Sequence, residues 1–307
     1  MSRLLADARG GAYAVCYCEA WNLESFQAVV EAAEEESSPV IAGFGGGFLR
    51  HPSRARAEKL VYYAGFALAL EKTRVPATFL LNETNSLTQI EEGMSLGFNA
   101  IMVENEGLEL DEYRALVKQV VTRAHSKGCT VEAQVGHLAD ASAGGDAVPT
   151  TPEVAQAFVE ETGIDALAVA VGNVHVLTTG SAGLDLEALE KIGKAVSVPL
   201  VLHGGSGIPL EIAASCTKLG VCKVNFGTAL KQAYLAAVRE KLAMYEEPMS
   251  PHPFLGTGGP KDLLTAAKDA VKLRVKEFLR AFGSAGKAAR NDPRAGAWAS
   301  EILTGRS

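Results

Sequence analysis

Two stretches decide the fold: ALAVAVGNVH at residues 166 to 175 and PLVLHGGSG at residues 199 to 207. Each is a short apolar run that leads to a histidine, His175 in the first and His203 in the second. The second run begins about 30 residues after the first, which is the spacing of successive strand-and-helix units in a parallel barrel. Side chains at the carboxyl ends of neighbouring barrel strands meet at one mouth. These two imidazoles are therefore candidates to share a metal ion, although a lone histidine at a strand end is more often a hydrogen-bonded loop or core residue.

The same alternation runs along most of the chain. Eight β-rich runs occur at 12–20, 39–46, 77–83, 100–105, 130–136, 166–172, 199–205 and 222–228. Helical patterns follow them at 22–36, 54–72, 86–96, 109–126, 152–161, 185–194, 209–219 and 230–245. Eight such units predict a (β/α)8 TIM barrel. The alternative is a doubly wound open sheet, which normally carries a glycine-rich fingerprint after its first strand, where this chain has EAWNLES.

Three segments lie outside the repeat. Residues 261 to 283 form a strongly amphipathic pattern that predicts an extra C-terminal helix, so that residues 1 to 285 make one barrel domain. The polar tail from 286 to 307 is either flexible or an oligomer arm. The Ala/Gly-rich loop at 136 to 150 is either a mobile lid over the mouth or a disordered connector.

Composition narrows the class of protein. A chain of 307 residues that is 48% hydrophobic can bury a large core, and a net charge of -7 argues against nucleic acid as a partner. We find no apolar stretch of about 18 residues and no signal-peptide pattern, so we expect no membrane association and a cytoplasmic location. Five scattered cysteines indicate reduced thiols rather than a disulfide framework.

Two glycine-rich turns predict an anion site. The HGGSG turn offers consecutive backbone N–H groups from Gly204, Gly205 and Ser206, and the next unit ends in Asn225, Gly227 and Thr228 before another helix. The loops after strands seven and eight are the usual phosphate site of a TIM barrel. A phosphorylated ligand is therefore expected, the alternative being two tight turns with no ligand.

Five segments together resemble the class II, metal-dependent fructose-bisphosphate and tagatose-bisphosphate aldolases. They are SVPLVLHGGSGIP (197–209), CKVNFGTALKQAY (222–234), TPEVAQAFVEETGIDALAVAVGNVH (151–175), TVEAQVG (130–136) and NLESFQAVVEAAEEESSPVI (22–41). In that family a divalent metal, usually zinc, lies on three histidines and stabilises the enediolate left by carbon–carbon cleavage. The resemblance assigns His175 and His203 to two metal ligands. It assigns Gly204, Gly205, Ser206, Asn225, Gly227 and Thr228 to the phosphorylated dihydroxyacetone part of the substrate.

The chain departs from this family on its third strand. Where the family has a pattern of the type HLDHG, this chain places Leu80, Asn82 and Glu83 at the His, Asp and His positions. Asn82 can orient an oxygen by hydrogen bonds but cannot exchange a proton at neutral pH. Glu83 either replaces the lost histidine as the third ligand or acts as an acid/base, and we favour the ligand. A plain helix N-terminal carboxylate is the other reading of Glu83.

Other carboxylates are candidates for the proton transfer that Asn82 cannot perform. Glu132 is retained from the VEAELG pattern of the family, whereas Gln134 replaces its second glutamate. Glu19 stands where the family has an amide that faces the substrate, and its alternative role is a salt bridge to a lysine or arginine. The family's lysine after the zinc histidine is also absent, which weakens the expectation of a phosphate.

The predicted function is that of an aldolase-like carbon–carbon lyase for a ketose phosphate or related polyol other than fructose 1,6-bisphosphate. The metal is Zn²⁺ on Glu83, His175 and His203, with Mn²⁺, Co²⁺ or Fe²⁺ also suited to two histidines and a carboxylate. The alternatives are a metal-dependent sugar-phosphate isomerase or epimerase and an inactive aldolase-like binding protein. We expect a homodimer or homotetramer.

Overall fold

The computed structural model describes residues 1–140 and 146–288. Eight parallel strands form the barrel: β1 Val15–Glu19, β2 Val40–Gly45, β3 Ala77–Thr84, β4 Ala100–Val103, β5 Thr130–Val135, β7 Ala166–Val169, β9 Leu200–Leu202 and β10 Val221–Phe226. They close in the order β1-β10-β9-β7-β5-β4-β3-β2, and two short strands, β6 Ala139–Asp140 and β8 Val174–His175, pair outside the barrel. Because β1 pairs with β2 on one side and β10 on the other, the predicted TIM barrel is confirmed and the open sheet is excluded.

Helices cover the outside of the barrel. They are α1 Ser2–Gly11, α2 Leu23–Glu35, α3 Gly46–Leu49, α4 Ala64–Glu71, α5 Leu87–Ser95, α6 Leu110–His125, α7 Pro152–Thr162, α8 Leu186–Ala195, α9 Ala213–Lys218, α10 Thr228–Leu242 and α11 Leu263–Ala281. Side-chain caps fix the starts of some of these helices: Asn22 and Ser25 form a capping box at α2, and Thr151 caps α7 ahead of Pro152. Within the described ranges, no helix combines the length and apolarity that a membrane crossing requires.

The extra C-terminal helix is confirmed as α11. Asp262 caps it by accepting hydrogen bonds from the N–H groups of Leu264 and Thr265 at 2.9 and 3.1 Å. Val271, Val275 and Phe278 are buried along one face of the helix, as its amphipathic pattern requires. The buried face joins α11 to the barrel layer.

Two helical segments differ from the prediction. Helix α1 was not predicted, because its apolar signal is short; its buried Leu5 and Ala8 belong to the cluster that fills the barrel interior. The helix predicted at 54–72 is shorter, with a 3-10 turn at Leu60–Tyr63 before α4. Residues 54 to 59, RARAEK, are almost all exposed and offer no apolar face to hold a helix on the barrel.

The strand that carries His175 also differs from the expectation. Barrel strand β7 ends at Val169, and His175 lies further along in β8 Val174–His175, which pairs with β6 Ala139–Asp140. The 136–150 loop is anchored where it is described, since His137 and Val148 exchange backbone hydrogen bonds of 2.8 Å. The middle of that loop, 141–145, and most of the predicted tail, 289–307, lie outside the described residues. All five cysteines are buried and free.

Candidate metal centre and active site

The structure brings Glu83, His175 and His203 together at the barrel mouth. Each offers one ligand atom, and these atoms all lie within 4.8 Å of one another. Glu83 Oε1 is 3.6 Å from His203 Nδ1, and the two imidazole rings are nearly parallel, with centroids 5.8 Å apart. Three donors at such separations surround a space of the size that one divalent ion needs.

Local backbone features aim Glu83 and His175 into this space. Glu83 has a φ of 52°, a left-handed conformation that is unfavourable for a glutamate, and the β3–β4 pairing shifts register between Leu81 and Thr84. Val176, directly after His175, has a φ of 50°. Strained residues of this kind concentrate at functional sites because the surrounding structure must hold them there.

Asn173, which sequence reasoning missed, ties the His175 segment to the strand of His203. Its amide nitrogen donates to the carbonyls of Val169 and His203 at 3.2 and 3.0 Å, and its oxygen accepts from the N–H of Val171 at 2.9 Å. The side chain is 2% exposed, so these bonds form in a low-dielectric interior. A turn of this kind cannot be distinguished in sequence from an ordinary loop asparagine.

His203 is held from behind by a buried ion pair. Its Nε2 lies 2.9 Å from Glu132 Oε1, and Lys223 Nζ lies 3.1 and 2.9 Å from the two Glu132 oxygens. Burial alone would raise the pKa of Glu132, but Lys223 and the His203 hydrogen bond hold it below its usual value. An ionised Glu132 accepts the Nε2 proton of His203, which leaves the Nδ1 lone pair facing Glu83 and His175.

The donor set fits a divalent metal. His203 Nδ1 is buried without a hydrogen-bond partner in the described chain, as expected for an atom reserved for an ion. Burial lowers the pKa of His175, although Glu83 opposes this, so that imidazole is neutral and able to ligate near pH 7. Two neutral imidazoles and one carboxylate suit Zn²⁺, Mn²⁺, Co²⁺ or Fe²⁺.

A cavity of about 960 Å³ opens directly above these ligands. Three further polar atoms on its walls are buried and lack a partner among the described residues: Tyr17 Oη, Asn82 Oδ1 and Asn225 Nδ2. Lys223 Nζ holds the oxygen of Asn225 at 2.5 Å, so the amide nitrogen is the end left free. Buried polar groups are costly without partners, and their concentration here indicates a polar ligand.

The two predicted anion turns meet at the same cavity. Gly204, Ser206, Asn225, Gly227 and Thr228 line it, whereas Gly205 is buried beneath the turn and does not. Gly204 has a φ of 68°, and a Cβ there would lie 2.2 Å from the Val174 carbonyl oxygen. The Oγ of Ser206 accepts from the Ala229 N–H at 3.1 Å, which joins the turn to the start of α10. The N-terminus of this 15-residue helix therefore faces the cavity, an arrangement that favours anions.

The two predicted proton carriers occupy different environments. Glu132 is fully buried behind His203, where both of its oxygens are occupied and it does not line the cavity. Glu19 does line the cavity, but its Oε2 is 2.7 Å from Lys231 Nζ, which is the salt bridge that was its alternative role. Burial nevertheless raises the pKa of Glu19.

Sequence reasoning missed several charged residues on the cavity wall, and Glu104 and Arg50 are the two that bear most on its chemistry. Glu104 follows β4, and burial, together with the nearby charges of Glu83 and Glu106, raises its pKa to about 7. Arg50 follows α3 and donates to the hydroxyl of Ser86. Glu104 lies at the end of the predicted β-rich run 100–105, but the acidic stretch that follows resembles an ordinary solvated loop, so sequence reasoning gave it no site role.

Comparison with known proteins identifies relatives of this chain. The sequence profile of the class II fructose-bisphosphate aldolases matches residues 1–287. YdjI of Escherichia coli K12 is 35% identical over 286 residues, covering 92% of this chain and 96% of YdjI. The fructose-bisphosphate aldolase of Geobacillus stearothermophilus is 34% identical over 302 residues, covering 94% and 98%. The crystal structure of the E. coli YdjI aldolase matches with a TM-score of 0.77 at 32% identity, over 94% of this chain and 98% of that one.

The chain therefore belongs to the class II fructose-bisphosphate aldolase family, and the predicted family membership is confirmed.

Proposed function

We propose that the protein is a metal-dependent aldolase that cleaves or forms a carbon–carbon bond beside the ketone of a sugar phosphate other than fructose 1,6-bisphosphate. One observation carries the proposal. The three candidate ligands and the unpartnered atoms of Tyr17, Asn82 and Asn225 all face one cavity. Buried polar atoms without partners destabilise a fold, so a protein with no ligand at this place would not be expected to retain so many of them.

Glu83, His175 and His203 would hold the metal, with Zn²⁺ the first candidate. When bound, a divalent ion supplies Lewis-acid stabilisation of the negative charge that develops on the ketone oxygen. The role of Glu132 in this proposal is to fix the His203 tautomer and ring orientation. It is a positioning residue, because its carboxylate does not reach the cavity.

The phosphate end of the substrate would lie against the glycine turn and the start of α10. Backbone N–H groups there, with the Ser206 and Thr228 side chains, present partial positive charge to an anion. Asn225 donates from its free amide nitrogen to a substrate oxygen, since Lys223 occupies the other end of the amide. These contacts orient the ketone toward Glu83, His175 and His203.

The proton carrier we now propose is Glu104. Asn82 does not titrate, Glu132 is out of reach, and Glu19 is held by Lys231. Glu104 faces the cavity from the strand next to Glu83, and its pKa of about 7 is well matched to a group that takes and returns a proton near neutral pH. Glu104 would remove the proton from the substrate hydroxyl or carbon and return it to the product.

An isomerase or epimerase is the second candidate. The observation that favours it is Asn82, because a site that retains the metal ligands but lacks the aspartate can form an enediolate without completing the cleavage. Both enzyme functions use the same metal and anion contacts. Product analysis separates them, since only the lyase changes the number of carbon atoms in the product.

Purified protein should contain one tightly bound divalent ion per chain, and chelation should abolish both turnover and the exchange of a dihydroxyacetone phosphate proton with heavy water. Readdition of Zn²⁺ or Mn²⁺ should restore both. Glu83→Gln should weaken metal binding while leaving the fold intact, because glutamine has nearly the same shape and Glu83 is only partly buried. A chain that binds no metal and exchanges no proton would refute the enzyme readings and leave the binding protein.

A further inference from the structure

A second cavity adjoins the first on the side of β1 and β2. Its volume is about 500 Å³, and it shares Glu19, Phe48 and Lys231 with the main cavity. Trp21 and Phe44 form much of its remaining wall. Small-molecule sites usually enclose about 300 to 1,000 Å³. The second cavity therefore has the size of a subsite, and Glu19 and Lys231 stand at its junction with the metal-facing cavity.

The carboxylate of Glu19 fits into a space shaped for it. A Cβ on Gly45 would lie 2.8 Å from Glu19 Oε1, and a Cβ on Gly227 would lie 2.8 Å from Glu19 Oε2. Lys231 closes on Oε2 at 2.7 Å, and its Nζ lies 4.1 Å from the centre of the Phe48 ring. Any side chain at either glycine would displace the carboxylate. Gly45, Gly227 and Lys231 therefore fix the position of the Glu19 carboxylate from three sides, and the residue is only 7% exposed.

One oxygen of Glu19 remains available to a ligand. Oε2 is bound to Lys231, whereas Oε1 has no hydrogen-bond donor among the residues that the structure describes. A buried carboxylate oxygen is a strong acceptor, and a hydroxyl group is the neutral donor that satisfies it. Trp21, which also lines this cavity, would cover the C–H groups of the same ligand.

The cations on the wall of the second cavity are already neutralised. Lys231 is paired with Glu19, and Arg54 lies 2.9 Å from Glu58. The main cavity differs, because Arg50 has a neutral serine partner and the start of α10 faces the space. A phosphate dianion in the second cavity would meet the Glu19 carboxylate without an uncommitted cation, which is unfavourable.

From these contacts we propose that the second cavity binds the aldehyde part of the substrate, and that this part is an unphosphorylated polyhydroxy chain of four or more carbons. Glu19 accepts from its hydroxyl groups and excludes a terminal phosphate. The inference rests on the proposed aldolase function and deepens it. The single phosphate of the ketose then lies at the opposite end, against the glycine turn.

The test is aldol addition of dihydroxyacetone phosphate by the metal-loaded enzyme to matched aldehydes. The kcat/KM for erythrose should exceed that for erythrose 4-phosphate by about 10-fold or more, because the phosphate would lie against the Glu19 carboxylate. It should exceed the kcat/KM for glyceraldehyde by a similar factor, because the longer chain has more hydroxyl groups to donate to Glu19. Glu19→Gln keeps the shape but frees Lys231, and it should lower the preference for erythrose over its phosphate by about 10-fold. Lys231→Met removes the cation and should raise that preference.

Glu31→Gln is the matched control, because Glu31 pairs with Lys268 and Lys272 on the outside of the barrel. It should leave the preference unchanged. Proton exchange into dihydroxyacetone phosphate without any aldehyde tests the aldolase function separately from the proposed specificity of the second cavity. If exchange occurs but phosphorylated or three-carbon aldehydes are preferred, or if Glu19→Gln leaves the ratio unchanged, this inference is wrong and the aldolase function stands. If exchange does not occur, both fall.

Discussion

Removing the charge of Glu132 should weaken metal binding, and Glu132 exerts this effect only by positioning His203. In Glu132→Gln the amide oxygen can still accept from His203 Nε2, but the charge that strengthens this bond and fixes the tautomer is lost. Loss of an outer-shell partner of this kind typically reduces metal affinity about 10- to 100-fold, or about 1.4 to 2.8 kcal/mol. The metal dissociation constant should rise by that factor.

The same substitution should also destabilise the fold, for a separable reason. Lys223 is fully buried, and its ammonium would lose the carboxylate that lies 2.9 Å away. Breaking a buried pair by removing one partner costs about 3 to 5 kcal/mol, whereas replacing both partners by uncharged groups is often close to neutral. The double variant Glu132→Gln with Lys223→Met should therefore recover most of the stability without recovering the metal affinity.

Two measurements follow these effects independently. Chelator competition gives the metal affinity of each variant, and urea unfolding of the metal-free protein gives its stability. Lys223→Met alone should lose stability and also free the oxygen of Asn225, which raises KM for the phosphorylated substrate. If the stable double variant binds metal as tightly as the parent chain, the Glu132 carboxylate does not position His203, and the argument fails.

Three other substitutions test the rest of the site. Asn82→Asp should supply a titratable group beside the ligands and raise cleavage of fructose 1,6-bisphosphate by about 10² to 10⁴, and unchanged cleavage would refute the importance of this position. Glu104→Gln should abolish turnover with the metal still bound. In the parent chain, kcat/KM should rise with pH as Glu104 deprotonates around its pKa of about 7. A kcat/KM that stays constant from pH 5 to 8 would exclude Glu104 as the base. Gly205→Asp should weaken substrate binding by displacing the turn above it, because its Cβ would lie 2.6 Å from Val224 Cγ1 and 2.7 Å from the Asn225 carbonyl oxygen; unaltered KM would contradict the anion site.

The barrel could be predicted from sequence because its signal repeats. The buried strands are short segments rich in apolar residues, and eight repetitions outweigh an error in any one of them. The grouping of Glu83, His175 and His203 could be predicted for a related reason, since β3, β7 and β9 bring the ends of their units to one mouth. Helix α1 escaped prediction because two buried residues make too weak a pattern.

The partners of the site residues could not be predicted. Glu132 and Lys223 lie on β5 and β10, and His203 directly follows β9; only the curvature of the barrel places the Glu132 carboxylate within 3.1 Å of both the His203 ring and the Lys223 ammonium. The same holds for Glu19, whose contact with Lys231 joins β1 to α10. Sequence spacing carries no information about such contacts, because they depend on barrel stagger and on side-chain rotamers.

The roles proposed for Asn82, Glu83 and Glu104 depend on one another. A carboxylate ligand at Glu83 donates a negative charge, so an ion held there would carry less positive charge to polarise a ketone than one held by three neutral histidines. A less polarised ketone has a less acidic neighbouring proton, and its removal then needs a stronger base. Glu104, with its pKa of about 7, is a stronger base than an ordinary aspartate, whose pKa is about 3.9. In the metal-free chain the charge of Glu83 also helps raise the pKa of Glu104, so that Glu83 acts on both the ion and the base, whereas a bound cation opposes that increase.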